Sequence, residues 1–256
     1  MPTVFDRFRL DGRTAFVTGG SRGLGLEIAQ ALHDAGARVA LMARRAAWFD
    51  EARAAIPDAV CVVGDVSVEA DVQRCIGEAV AQFGDTIDVL VNGAGISWAE
   101  PALTMPAERL HQVTAVNYYG AFYASQAVAP GMIAKGWGKI VNVASVAGLK
   151  GERAETLDAV GYSGSKAALI GLTRDLAVKW GPHGIRVNAL APGFFPTRLT
   201  EKVIPRVTAS LEAHHPLRRA GLPGELGGAA LLLAAPAGDY INGHTLVVDG
   251  GVVAGG

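Results

Sequence analysis

Residues 14–25, Thr-Ala-Phe-Val-Thr-Gly-Gly-Ser-Arg-Gly-Leu-Gly, constrain the fold more than any other stretch of this chain. The apolar run 14–17 fits a short buried strand, glycines follow at 19, 20, 23 and 25, and Ile28, Ala29 and Leu32 then recur at helical spacing. Strand, tight turn and helix in that order begin a parallel α/β unit. Glycines let a main chain come close to a phosphate, and the free amides and partial positive charge of a helix N-terminus favour an anion there. Gly19, Ser21, Arg22, Gly23, Leu24 and Gly25 are therefore candidate contacts for a dinucleotide, the bland alternative being a turn that is merely tight.

The remainder of the chain continues the alternation. Apolar strand-like runs stand at 38–43, 59–63, 87–91, 139–143, 185–190 and 245–248, with helical patterns between them at about 107–133, 162–180 and 225–235. Such alternation predicts one doubly wound, seven-stranded parallel sheet with helices on both faces, in a single domain over 1–256. A chain of 256 residues, 50% apolar and with a mean hydropathy of +0.27, can bury the large core this needs. Its 23 basic and 24 acidic residues give a net charge of −1, which argues against nucleic acid or an anionic membrane as partner and for small molecules or copies of itself.

Cys61 and Cys75 lack a Cys-x-x-Cys spacing and read as reduced, buried thiols, as in a cytoplasm. The start of the chain carries Asp6, Arg7 and Arg9 rather than a signal-peptide core, and the apolar run 229–235 stops at Pro236. The expectation is a cytoplasmic protein. Adjacent histidines at 214 and 215 diverge on a helix and make a poor metal clamp, so no metal site is expected.

Tyr162 and Lys166 lie four residues apart, on one face of the helix over 162–180. A held ammonium beside a phenol stabilises the phenolate, which turns a group with a pKa of about 10 into a useful proton donor or acceptor. Alone this pair is a weak signal. Together with the Gly-x-x-x-Gly-x-Gly turn at 19–25, the Asn92-Gly93-Ala94-Gly95 turn, Ser145 after the strand 139–143 and the Pro192-Gly193 turn, it resembles the short-chain dehydrogenase/reductase family from residue 13 to residue 251.

The resemblance implies a set of roles. Tyr162 exchanges a proton with the substrate oxygen, Ser145 polarises the carbonyl, Lys166 lowers the phenol pKa and binds the nicotinamide ribose, and Asn117 distorts its helix and holds a water on the proton path. Asp65 and Val66 meet the adenine, although Asp65 or Ser67 also fits a helix cap. Asn92, Ala94 and Gly95 form a cofactor turn, with glycine replacing the family's second asparagine, and Pro192, Gly193 and Thr197 lie against the pyrophosphate or carboxamide. The second strand ends in Ala43-Arg44-Arg45 without an acid, and Arg22 sits inside the glycine turn. A guanidinium grips a 2′-phosphate bidentately, so NADP(H) is expected, with Arg44 the better placed of the pair.

Within the family the chain looks most like gluconate 5-dehydrogenase-like and 3-oxoacyl-carrier-protein-reductase-like members. The expected activity is NADP(H)-dependent interconversion of a ketone and a secondary alcohol, on a keto-sugar acid or a 3-oxoacyl thioester. Lys135 and Lys139 are the basic residues offered to an acidic carrier partner. The interval from Ser145 to Tyr162 is 17 positions, longer than usual in the family, and its polar stretch 148–159 reads as a loop beside the substrate mouth. The resemblance further implies a substrate lid at about 198–219 and a homotetramer. A protein of another class, an NADP(H)-binding redox-responsive module without turnover, is the alternative, and the four filled catalytic positions weigh against it.

Overall fold

A strand buried on both faces sends alternate side chains into two different cores, so it reads as an unbroken apolar run. The computed structural model describes residues 3–197, 200, 208, 211–213 and 215–255, and its central strand β1 (Thr14–Thr18) shows this pattern. Ala15 and Val17 enter one core and Phe16 the other, all fully buried. The other strands are β2 (Arg38–Ala43), β3 (Val60–Val63), β4 (Val89–Asn92), β5 (Gly138–Val143), β6 (Ile185–Pro192) and β7 (Thr245–Val248). They form one seven-stranded sheet in the order β3-β2-β1-β4-β5-β6-β7, with every pair parallel.

Parallel neighbours need crossovers, and helices supply them. The helices α1 (Gly23–Asp34), α2 (Asp50–Ala55) and α8 (Gly227–Ala234) pack on one face through Ile28, Leu32, Ala52, Ala230 and Leu233. The opposite face is covered by α3 (Glu69–Phe83), α5 (Gly120–Lys135) and α7 (Val160–Trp180), through Val72, Ile76, Ala124, Val128 and Leu176. Two further short helices are α4 (Ala107–Thr114) and α6 (Ala154–Leu157), and no helix among the described residues is long and apolar enough to cross a membrane. The chain adds strands outward to one side from β1 to β3 and to the other from β4 to β7, and this switch between β1 and β4 leaves a crevice at the carboxyl ends of the central strands.

Three expectations change in detail. The helical region 107–133 is not continuous, because a π turn at Ala115–Tyr119 separates α4 from α5. The polar stretch 148–159 is partly ordered structure: it holds α6, and it is strapped to the turn after β4 by a bridge between Glu100 and Ala159, with Glu100 N donating to Asp158 O at 2.9 Å. Lys139 is not a surface charge. It is fully buried at the amino end of β5 with Nζ 2.8 Å from Asp239, while Lys135 pairs with Asp85 at 2.9 Å and Asp88 at 3.0 Å. Cations committed to internal carboxylates are poor anchors for an acidic partner. Most of the expected lid 198–219, and His214 with it, lies outside the described residues.

Candidate active site

The tightness of the first turn sets one end of the site. Gly19 has φ +70°, a left-handed conformation that favours glycine, and a Cβ on Gly25 would stand 2.3 Å from the Gly19 carbonyl oxygen. The start of α1 is thereby pressed onto the end of β1. Arg22 precedes the helix in extended conformation without a side-chain cap, so the first amides of α1 face the crevice with nothing local to satisfy them. Across the turn, Thr197 lies about a van der Waals contact from a Cβ placed on Gly23, and its amide and hydroxyl are tied to Thr200 Oγ1 at 2.9 and 3.1 Å.

From there a cleft of about 440 Å³ runs along the strand ends. Gly19, Ser21, Arg22, Gly23, Leu24, Gly25, Arg44, Asp65, Val66, Ala94, Gly95, Ser145, Tyr162, Lys166, Pro192, Gly193 and Thr197 all line it. Two candidate residues do not. Asn92 turns inward from the end of β4, where Nδ2 donates to Asn142 Oδ1 at 2.8 Å, Ser125 Oγ at 3.1 Å and Ala121 O at 3.2 Å. Its side chain ties β4 to β5 and α5. Asn117, in the π turn, lies just behind the wall: Oδ1 accepts from Ile96 N at 2.9 Å, and Nδ2 donates to Ile96 O at 2.9 Å and to Ser165 Oγ at 3.0 Å. A Cβ on Gly95 would meet both Asn117 Oδ1 and Lys166 Nζ at 3.5 Å, which places amide and ammonium side by side.

At the far end stand the proton-handling candidates. Ser145 follows β5 by two residues, with Oγ accepting from Ala147 N at 3.2 Å, so it caps the following turn and lines the cleft at once. Tyr162 is half-buried in the first turn of α7, and Lys166 Nζ lies 5.7 Å from its ring centroid. The Lys166 ammonium donates to Val143 O at 2.6 Å and is only 4% exposed. Burial lowers its pKa to about 8. Burial also pushes the Tyr162 phenol up, with the neighbouring Ser145 hydroxyl pulling the other way. Asp65 accepts from Ser67 N at 2.9 Å and Ser67 Oγ at 2.7 Å; it structures the turn before α3 rather than capping the helix itself, whose N-cap is Val68.

Trp48, Ile96, Ser97, Phe195 and Thr200 also line the cleft, and sequence reasoning passed over them. Ser97 and Ile96 follow directly on the Asn92–Gly95 turn, so extending that motif by two residues would have found them. Trp48 carries no local signal, because its importance depends on which side chains converge on its ring. The cleft suits a dinucleotide on structural grounds: a cradle that Cβ atoms would fill, a helix N-terminus and arginines at one end, and a tyrosine–lysine pair at the other.

Comparison with known proteins agrees with this geometry. A family model described as Enoyl-(Acyl carrier protein) reductase matches residues 19–253. The chain is 42% identical to galactitol 2-dehydrogenase (L-tagatose-forming) of Cereibacter sphaeroides, over 95% of this chain and 96% of that one. It is 38% identical to the rhamnolipids biosynthesis 3-oxoacyl-[acyl-carrier-protein] reductase of Pseudomonas aeruginosa, over 95% of this chain and 97% of that one. Among solved structures, a gluconate 5-dehydrogenase from Burkholderia cenocepacia in complex with NADP and tartrate superposes with a TM-score of 0.92 at 37% identity, covering 98% of this chain and 99% of the other. With its parallel sheet, its glycine turn and these relatives, the chain belongs to the short-chain dehydrogenase/reductase family and is an oxidoreductase that uses a nicotinamide cofactor.

Proposed function

We propose that this enzyme interconverts a ketone and a secondary alcohol on a small polyhydroxylated substrate, a sugar alcohol or keto-sugar acid, with NADP(H). The observation that carries the reading is the meeting of Ser145, Tyr162 and Lys166 at one end of a cleft whose other end is the glycine turn with Arg22 and Arg44. NADPH, when bound, supplies the hydride. Gly19, Gly23 and the first amides of α1 hold the pyrophosphate against Thr197, and Arg22 and Arg44 meet the 2′-phosphate. Lys166, fixed by Val143 O, holds the ribose, and the Ala94–Gly95 turn closes the wall beside it.

Ser145 donates to the substrate oxygen, and Tyr162 gives that oxygen a proton as it becomes an alcohol; the steps reverse in oxidation. Because the Asn117 amide is spent on Ile96 and Ser165, a relay water at the π turn rests on main chain rather than on that amide. The names of the galactitol and gluconate relatives, one of them solved in complex with NADP and tartrate, support a hydroxylated substrate. Lys135 and Lys139, both internally paired, argue against carrier docking at that edge. We further place the protein in the cytoplasm, working as one catalytic domain in a homotetramer, which light scattering of the purified protein checks.

The test is turnover by wild type and Tyr162→Phe, with NADPH and NADH, on keto-sugar acids, sugar alcohols and 3-oxoacyl thioesters. The variant is expected to lose at least about 100-fold in turnover while still binding NADPH. Near-normal turnover would sink the assignment of Tyr162. Tight NADPH binding with no turnover of any substrate would return the binding-module reading.

A further inference from the structure

Resting on the reading of the substrate as polyhydroxylated, we propose that Glu152, held by Lys150, is a specificity-determining residue that binds substrate hydroxyls away from the reacting carbon and selects a neutral sugar alcohol or ketose over a sugar acid. Both residues lie on the charged stretch between Ser145 and Tyr162, to which the hydride and proton steps assign nothing. The stretch is fixed at both ends beside the proton-handling groups. Lys150 N donates to Val146 O at 3.2 Å, and a Cβ on Gly148 would stand 2.7 Å from the carbonyl carbon of Lys166, so its first residues are pressed onto α7. Its last residues are tied by the Glu100–Ala159 bridge to the segment that follows Ser97 of the cleft wall. From the other side of the cleft, directly after Pro192 and Gly193, the Phe194 ring meets the His215 imidazole at 5.9 Å between centroids. Burial lowers the His215 pKa, and the Lys150 ammonium lowers it further while Asp249 acts the other way, so Lys150 and His215 approach from the two sides of the substrate end. Asp249 is itself engaged, accepting from Gly251 N at 2.7 Å and Val253 N at 2.8 Å.

In this setting the Lys150–Glu152 pair keeps its hydrogen-bonding capacity for a ligand. The ammonium and carboxylate stand 3.8 Å apart, an ion pair longer than a hydrogen bond, with the Glu152 side chain 13% exposed and that of Lys150 27%. Among the described residues the Glu152 carboxylate accepts no hydrogen bond and the Lys150 ammonium donates none. A carboxylate taken largely out of water is costly unless donors reach its lone pairs. Vicinal hydroxyls of a polyol are such donors: two O–H groups fit one carboxylate, and their oxygens accept from the ammonium beside it. A sugar acid fits badly. Its own carboxylate meets a like charge and reaches Lys150 only by displacing Glu152. A 3-oxoacyl chain, with no hydroxyl to donate, leaves the pair unsatisfied. Opposite charges side by side therefore match a neutral chain of hydroxyls.

The experiment measures oxidation of galactitol and of gluconate with NADP⁺ by wild type, Glu152→Gln and Lys150→Met, with melting temperatures as a check on folding. Wild type is expected to favour galactitol at least about 10-fold in kcat/KM. Glu152→Gln removes a charge-assisted acceptor and a like charge together: it should raise KM for galactitol about 10-fold, leave kcat and the KM for NADP⁺ within about 2-fold, and raise kcat/KM for gluconate at least about 3-fold. Lys150→Met should widen the preference for galactitol over gluconate. An unchanged galactitol KM in Glu152→Gln overturns the proposal, as does equal loss on both substrates, since the carboxylate would then serve the loop alone. A wild type that prefers gluconate overturns it too. Where Glu152→Gln does not fold, Lys150→Met decides, and an unchanged ratio between the two substrates overturns the proposal. Turnover of neither substrate by wild type removes the polyhydroxylated reading itself, and the proposal falls with it.

Discussion

Truncating Asn117 separates two roles that its position in the sequence leaves merged. The side chain is 1% exposed and fully engaged: one acceptor bond from Ile96 N, one donor bond to Ile96 O and one to Ser165 Oγ, at 2.9, 2.9 and 3.0 Å. Asn117→Ala strands the amide and the carbonyl of Ile96 in a half-buried setting, whereas Ser165 keeps its bond to Tyr162 O at 2.7 Å. A buried group left without a partner costs roughly 1–3 kcal/mol, and taking the lower half of that range twice gives about 3 kcal/mol. For a chain of this size that is a fall of about 6–12 °C in melting temperature. Ile96 and Gly95 line the cleft, so the cofactor KM should rise by about 10-fold while kcat falls. Differential scanning calorimetry and steady-state kinetics against NADPH read both effects. A double-mutant cycle with Ser165→Ala should show coupling of about 1 kcal/mol. A melting temperature lowered by less than about 2 °C, with kcat nonetheless depressed, would refute the structural role and leave Asn117 as a relay residue only.

The site's protonation gives a second expectation. Burial lowers Lys166 from 10.5 to about 8 and raises Tyr162, so the lysine loses its proton first as pH rises. Its folded pKa lies below the unfolded one, so its burial opposes folding below about pH 8, and that cost fades as pH climbs toward the unfolded value. Activity should move the opposite way if, as proposed, the ammonium holds the ribose: kcat/KM for ketone reduction should fall about tenfold per unit above about pH 8, and a profile flat to about pH 9.5 would count against it. In the glycine turn, Gly25→Ala places a methyl 2.3 Å from Gly19 O and 2.9 Å from Gly19 C, both rigid main chain. It should cost about 1–3 kcal/mol and weaken NADPH at least about 10-fold by fluorescence titration; wild-type affinity would show that the tight turn does not serve the phosphate.

What was legible in the sequence follows from how local each signal is. The glycine turn declares itself, because its chemistry is contained in twelve consecutive residues, and the strands read as apolar runs because the sheet is covered on both faces. Tyr162, Lys166, Ser145 and Thr197 end at the cleft because motif and element order together fix which end of the sheet they occupy. Asn92 marks the limit of motif reading. Its main chain belongs to a cleft-side turn, yet its side chain points into the interior, a distinction made by its neighbours Asn142 and Ser125. The same holds for Lys139, whose burial depends on Asp239, a hundred residues away, and for the Tyr162 phenol, which burial raises and Ser145 pulls the other way. Trp48 illustrates the converse, an isolated aromatic residue whose ring meets Arg22 and Arg45 only when β1, β2 and their turns are brought together.

The candidate catalytic groups come from three parts of the chain, the π turn, the turn after β5 and α7, and their alignment is a property of the sheet. Lys166 is anchored on the carbonyl oxygen of Val143, the last residue of β5, two positions before Ser145, so the ammonium and the serine share one reference. Asn142, one residue earlier on that strand, donates to Thr173 Oγ1 of α7 at 2.9 Å, which pins the helix carrying Tyr162 and Lys166 at its second contact with the sheet. Asn92 joins β4 to the same Asn142 and to α5, the helix that continues from the π turn, and Asn117 ties that turn to Ser165 of α7. Each bond in this chain is buried and directional, so a shift of α7 relative to β5 must break at least one of them at a cost of roughly 1–3 kcal/mol. Apolar packing alone would tolerate small slides of a helix over a sheet. The polar links do not, and that is why a proton donor on α7, a hydroxyl on β5 and a cofactor turn on β4 are held in one register.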